Sequence, residues 1–130
     1  MNISIVNDYL TAINAANVDK ICSLITPDHV FTDSQNNRMT GSDNMRRAWA
    51  GYFALFPDYH IEIQETFVNE NVICMLGYAS GTYQNRKDSE NSNSWRIPAA
   101  WKAILKDNKI SHWQVYADNM VVKEIIDRNL

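Results

Sequence analysis

Residues 59–84 read YHIEIQETFVNENVICMLGYASGTYQ, and here the apolar pattern settles into a period of two. Ile61, Ile63 and Phe67 alternate with His60, Glu62, Gln64 and Thr66, the pattern of a strand with one face against a core. Asn69-Glu70-Asn71 supplies turn residues that end it. Residues 72–84 make a second, longer strand with Gly77 and Gly81 inside it. Glycine within a strand marks a bend or bulge, which a strongly curved sheet needs.

Toward the C-terminus, residues 85–94 (NRKDSENSNS) are too polar to pack and read as a mobile loop. Residues 95–106 and 109–118 are two further strands, joined by a tight turn at Asp107-Asn108. The four strands form a meander. One face packs against the rest of the chain, which leaves the other to be covered. Tyr78 or Tyr83, with Trp95 or Trp113, is expected to place large aromatics on that outer face, and this points to a homodimer through the sheet.

Toward the N-terminus the period changes to that of a helix. Ile3, Val6, Leu10 and Ile13 form an apolar stripe, with Tyr9 and Ala16 beside it. Asn17 can cap a second short helix whose apolar face is Val18, Ile21, Cys22 and Ile25. Thr26-Pro27 is expected to stop that helix, and His29 to belong to the turn that follows. HVFTD (29–33) reads as a short strand and residues 35–40 as a polar loop. Gly41-Ser42-Asp43 opens a third helix that sets Met45, Trp49, Tyr52, Phe53 and Phe56 on one face, with Pro57 just past its end. Helices segregated from an antiparallel sheet predict an α+β fold. No linker or repeat interrupts residues 1–130, so one domain is expected.

The composition narrows the function. The net charge is −3, and the cations are scattered, so no nucleic-acid partner is expected. The two cysteines, Cys22 and Cys74, form no metal-binding pattern with each other or with histidine; buried free thiols in a reducing compartment are expected. There is no leader pattern near the start and no apolar run of membrane-spanning length. The expected location is the cytoplasm, without a membrane partner. No metal site, phosphate loop or other cofactor signature is evident.

The order helix, helix, short strand, helix, four-strand meander resembles the superfamily of nuclear transport factor 2, ketosteroid isomerase and SnoaL-like polyketide cyclases. Two stretches carry the resemblance. DYLTAINAANVDKICSLITPDHVFTDS (8–34) looks like the opening of the isomerases, in which a tyrosine and an aspartate share the pocket. Without a gap these fall on Tyr9 and Asp33. KISHWQVYADN (109–119) is similar to the closing strand of SnoaL-like proteins, in which a tryptophan precedes an acid/base aspartate by five residues. Here those are Trp113 and Asp118. The isomerases' second carboxylic acid falls on Trp101, which can donate one hydrogen bond but cannot replace a carboxyl, so steroid isomerisation is not implied. The resemblance implies a cystatin-like, cone-shaped α+β barrel: three N-terminal helices on a strongly curved antiparallel sheet, with an apolar pocket between them.

Each candidate has two readings. Asp33 ends an apolar run and suits a base that takes a proton beside a carbonyl; alternatively it caps a turn in DSQNN. Asp118 shares a strand face with His112, Gln114 and Tyr116. That face lines a wet pocket, or faces solvent or a partner subunit. Tyr9 donates a hydrogen bond to a developing oxyanion, or is core. Trp49, Tyr52, Phe53, Phe56, Trp95 and Trp101 are expected to supply the apolar wall. The expected catalytic set is Asp33, Asp118 and Tyr9, converging on one cavity. The expected lining is Trp49, Phe53, Trp101, His112 and Tyr116. The leading expectation is a protein that binds a small apolar or carbonyl-containing molecule, with cofactor-free isomerase, cyclase or dehydratase chemistry. The alternatives are a binding module without catalysis and a protein-interaction adaptor.

Overall fold

The computed structural model describes residues 3–85 and 93–130. The chain begins with helices α1 (Ser4–Asn14) and α2 (Val18–Ser23), followed by strands β1 (Ile25–Thr32) and β2 (Arg38–Thr40) and helix α3 (Ser42–Leu55). Four long strands follow: β3 (His60–Asn69), β4 (Val72–Thr82), β5 (Ser94–Lys106) and β6 (Lys109–Ala117). Helix α4 (Met120–Arg128) closes the chain. The strands form one sheet in the order β2-β1-β6-β5-β4-β3. Every pairing is antiparallel except β1 with β6. This is the expected α+β architecture.

Local chemistry explains most of the boundaries. The Asn17 side chain accepts the Lys20 N–H and starts α2. Asn14, at the end of α1, pairs with the free edge of β3: its Nδ2 donates to the Ile61 carbonyl at 3.0 Å, and the Ile61 N–H donates to its Oδ1 at 2.8 Å. The β5–β6 turn places Asp107 at φ 54° and Asn108 at φ 61°, the pair of positive values that a two-residue hairpin requires.

Bulges set the curvature. In β3 the register slips between Ile63 and Glu65. Gly77 stands opposite this bulge, paired with Ile63. A Cβ there would lie 1.8 Å from the Glu62 carbonyl oxygen, so only glycine fits. The bulge also corrects the expected alternation. Ile61 is buried, but Phe67 emerges on the outer face, 56% exposed, because one extra residue inverts every side chain beyond it.

Other expectations are corrected too. β1 starts before Pro27 and continues through it; its pairing with β6 is irregular between Ile25 and Val30, which accommodates a residue without an N–H. His29 is a fully buried strand residue whose Nδ1 lies 2.7 Å from the Ile110 carbonyl. β2 replaces part of the loop at 35–40. Helix α4 is an addition to the three expected helices; its Val122, Ile125 and Ile126 have helical spacing and turn inward. Tyr83, Trp95 and Trp113 are buried rather than outward. Of the four aromatics expected outside, Tyr78 alone faces out, under the Arg96 guanidinium at 3.7 Å. The polar segment 85–94 lies for the most part outside the described residues.

The core lies between the helices and the concave face of the sheet. Trp101, Trp113, Tyr9 and Phe56 are its largest fully buried side chains. Each such aromatic removes roughly 150–250 Å² from water, or about 4–6 kcal/mol of gross stabilisation. Among the described residues no helix is long and apolar enough to cross a membrane.

Candidate functional site

The cavity originates in a choice of small side chains. On the concave face, Ala99 and Ala117 stand side by side across β5 and β6, with Ala79 on neighbouring β4. Between these small residues and α3 a cavity of about 300 Å³ remains. Aromatics wall it: Trp49 and Tyr52 from α3, Tyr59 just before β3, Trp95 from β5, Trp113 from β6 and Phe31 from β1. Tyr52 meets Tyr59 edge to face, with ring centroids 4.9 Å apart and planes at 90°. Burial pushes both phenols' pKa values upward, so both are protonated across the physiological range.

Three polar residues, Asp33, Ser34 and Asn119, complete the lining. Asn119 Nδ2 donates to Ser34 Oγ at 2.6 Å, tying the start of α4 to the turn after β1. Among the described residues Asp33 is the sole carboxylate on the wall. Its Oδ1 accepts the Gln35 and Asn37 backbone N–H groups, both at 2.9 Å, and its Oδ2 accepts Asn37 Nδ2 at 3.1 Å. The turn therefore fixes the carboxylate at the cavity edge and leaves Oδ2 with spare acceptor capacity. Both sequence readings of Asp33, turn cap and pocket residue, describe it.

The other expected site residues do not converge there. Tyr9 is fully buried one layer behind the wall, edge-on to Trp113 at 4.8 Å. Its hydroxyl faces the Trp49 indole N–H without reaching hydrogen-bond geometry. Asp118 is exposed, and its Oδ1 accepts the Met120 N–H at 3.0 Å at the start of α4. Its neighbours Ala117 and Asn119 face the cavity, so strand alternation turns Asp118 away.

Trp49 lines the cavity as expected, whereas Phe53, Trp101, His112 and Tyr116 do not. Phe53 stacks behind Trp49 at 5.4 Å. Trp101 is fully buried in the core beyond the cavity lining. His112 and Tyr116 lie on the convex face and are exposed. Tyr59, Ser34 and Asn119 escaped the sequence reading. Tyr59 carried a usable signal, since it alternates in phase with Ile61.

No group of three His, Cys, Asp or Glu among the described residues is arranged to hold a metal ion. A second, shallow cleft between α2 and α3 is bordered by Cys22, Asp43 and the Arg46–Asp19 ion pair. Desolvation raises the Cys22 pKa, which opposes thiolate chemistry there.

No curated protein matches the sequence significantly. Solved structures do resemble it in fold. A candidate SnoaL-like polyketide cyclase from Jannaschia sp. CCS1 superposes with a TM-score of 0.80 at 16% identity, over 95% of this chain and 90% of that one. Another candidate SnoaL-like polyketide cyclase, from Shewanella denitrificans OS-217, gives 0.79 at 12% identity over 96% of both chains. A protein with a ketosteroid isomerase-like fold from Catenulispora acidiphila DSM 44928, in complex with trimethylamine, gives 0.76 at 17% identity over 89% of this chain and 86% of that one. The family model of the SnoaL-like domain matches residues 6–113. Spanning both the α1–β1 segment that leads to Asp33 and the strands that wall the cavity, that match makes this chain a member of the SnoaL-like domain family.

Proposed function

We propose that the protein binds a small, largely apolar, carbonyl-containing molecule in the aromatic cavity, and that Asp33 exchanges a proton with it. The reaction class is a cofactor-free isomerisation, cyclisation or dehydration. One observation carries this reading: among the described residues, a cavity walled by aromatics has a single carboxylate on its wall, held by its own turn with Oδ2 under-used. A fixed carboxylate beside an apolar volume is the arrangement that proton abstraction next to a carbonyl requires. The names of the Jannaschia and Shewanella proteins agree with that class. Tyr9 serves here as a positioning residue behind Trp49 and Trp113. Asp118 has no part in proton transfer.

The three hydrogen bonds that Asp33 already accepts favour a second reading, a binding module without turnover. One experiment separates the two. Apolar ketones are screened by thermal shift, and hits are incubated with wild type and Asp33→Asn in deuterated water. Exchange at the carbon beside the carbonyl that is lost in Asp33→Asn supports catalysis. Binding without exchange in either protein supports the binding module.

We also propose that two copies pair through the convex face of the sheet. Tyr116, Ala100 and Leu76 stand in one row across β6, β5 and β4, and Phe67 lies diagonal to Leu76. Tyr116 is 50% and Leu76 38% exposed, an apolar patch of the kind that two-fold pairing covers.

A further inference from the structure

Helix α4 is joined to the rim of the cavity at both ends. At its start, Asn119 and Ser34 both line the cavity, and Asn119 Nδ2 donates to Ser34 Oγ at 2.6 Å. At its end, two side chains converge on one atom: Arg128 Nη2 and Asn129 Nδ2 donate to Asn93 Oδ1 at 3.1 and 3.0 Å. Asn93 is buried, and its carbonyl accepts the Tyr83 N–H at 3.0 Å, which fixes it just past the end of β4. Trp95, two residues on, is cavity wall. The nine residues of α4 span about 13 Å between these two points. The family match ends at Trp113, so the helix lies beyond it.

The hold on this helix is light. Among the described residues α1 buries five side chains, whereas α4 buries two, Val122 and Ile125, which join the core cluster that includes Trp95 and Ile97. Met120 and Val121 stay 65% and 48% exposed. The segment MVVKEIIDR is also a weak helix in its own right. It is shorter than an isolated helix needs to be, and four of its nine residues are β-branched. Its Lys123–Asp127 ion pair is exposed and runs in the weaker of the two i,i+4 orientations. A helix of this kind persists because it is held, and unwinds when it is released.

We propose that α4 is a strap across the cavity mouth, which releases from Asn93, hinges at Asp118 and Asn119, and so opens the rim between Ser34 and Trp95 to a ligand. The hinge end is fixed by its own cap, since Asp118 Oδ1 accepts the Met120 N–H at 3.0 Å, and by the tie to Ser34. The release end places two hydrogen bonds on a single acceptor atom, so one side chain controls it. The purpose of the strap rests on the ligand-binding reading above. Its opening does not, and the two are tested separately.

Native-state hydrogen exchange tests the opening without a ligand. In low urea the amides of residues 123–128 should exchange at least about tenfold faster than the slowest amides of β5 and β6, and depend far less on urea, because releasing one short helix exposes little surface. Exchange of α4 together with the strands, on the same urea slope, would overturn the strap. Gating is tested with 1-indanone, a neutral apolar ketone, followed in stopped flow by the fluorescence of the wall tryptophans. Asn93→Ala removes both side-chain bonds at the release end. It should speed association and dissociation alike by about tenfold, the worth of one to two net hydrogen bonds, and leave Kd within about twofold. Asn129→Ala removes one of the two bonds and should act in the same direction by less; it carries the test if Asn93→Ala does not fold. Unchanged rates would overturn the gate. A weaker Kd with unchanged association would make α4 a fixed part of the wall and overturn it too. If 1-indanone does not bind wild type, the binding reading falls and the gate with it, while exchange still decides whether the helix opens by itself.

Discussion

The two faces of β6 are built from interleaved residues and have opposite fates. Trp113, Val115 and Ala117 face the cavity, whereas His112, Gln114, Tyr116 and the following Asp118 face out. In sequence the outward set looks the more functional, since it carries the histidine and the tyrosine of the strand and leads to an aspartate. The inward set is apolar, yet it builds the cavity. A pocket in this fold is made by absent volume and aromatic wall, and polar groups enter it where strands end and turns begin. Asp33 and Asp118 repeat the contrast. Both accept the backbone N–H two residues ahead, but Asp33 continues the inward phase of Phe31 while Asp118 follows the outward phase of Tyr116.

The contrast breaks most visibly at Trp113. Trp113→Ala removes a side chain only 1% exposed and should cost about 3–5 kcal/mol, read as a lower midpoint in urea. Tyr116→Ala, three residues away on the other face, should change monomer stability by about 0.5 kcal/mol or less. Equal losses would mean that the two faces are not distinct in packing.

The aspartates sharpen the comparison in chemistry. Once a substrate is found, Asp33→Asn should lower turnover by about 10²–10⁴-fold, while Asp118→Asn leaves it within about twofold, the expectation for a group outside the cavity. A larger loss from Asp118→Asn would reverse the assignment.

His29 on adjoining β1 offers a pH test. Desolvation lowers the pKa of buried His29, so the unfolded chain binds the proton more readily than the fold does. Its contribution to stability is therefore present above the unfolded value of about 6.5, and is lost as pH falls through the lower folded value. The slope should reach at most about 1.4 kcal/mol per pH unit. His29→Gln should flatten it. The tyrosines act at the other extreme. Tyr9, Tyr52 and Tyr59 have raised pKa values, so stability is complete below about pH 10 and falls as the pH climbs past it. Absorbance at 295 nm should show these three ionising together with unfolding.

The smallest effect concerns the convex patch. Leu76→Lys should abolish pairing in sedimentation at micromolar concentration while leaving the thermal midpoint of the monomer nearly unchanged. A wild-type protein that sediments as a monomer would remove the pairing proposal.

Much of the fold was legible because its signals are local. Asn17 caps a helix through its own side chain, Asp107-Asn108 makes a hairpin through its own dihedrals, and period-two runs become strands wherever one face is buried. The site was less legible. Phe67 reads as inward because the bulge at Gln64 leaves no mark in the sequence, and bulges decide phase. His112 and Tyr116 were candidates for the pocket because polarity on a strand does not say which side the helices occupy. Ala79, Ala99 and Ala117 carry no signal of their own in the sequence, since a small residue is informative only when its neighbours across the sheet are known.

The sequence by itself determined the elements, the α+β class, and the placement of Asp33 at the end of an apolar strand, because propensities, caps and alternation act over a few residues. The tertiary structure decided which face of each strand is concave, which aromatics wall the cavity, and which aspartate borders it. These depend on register between strands distant in sequence, where a single bulged residue inverts everything after it.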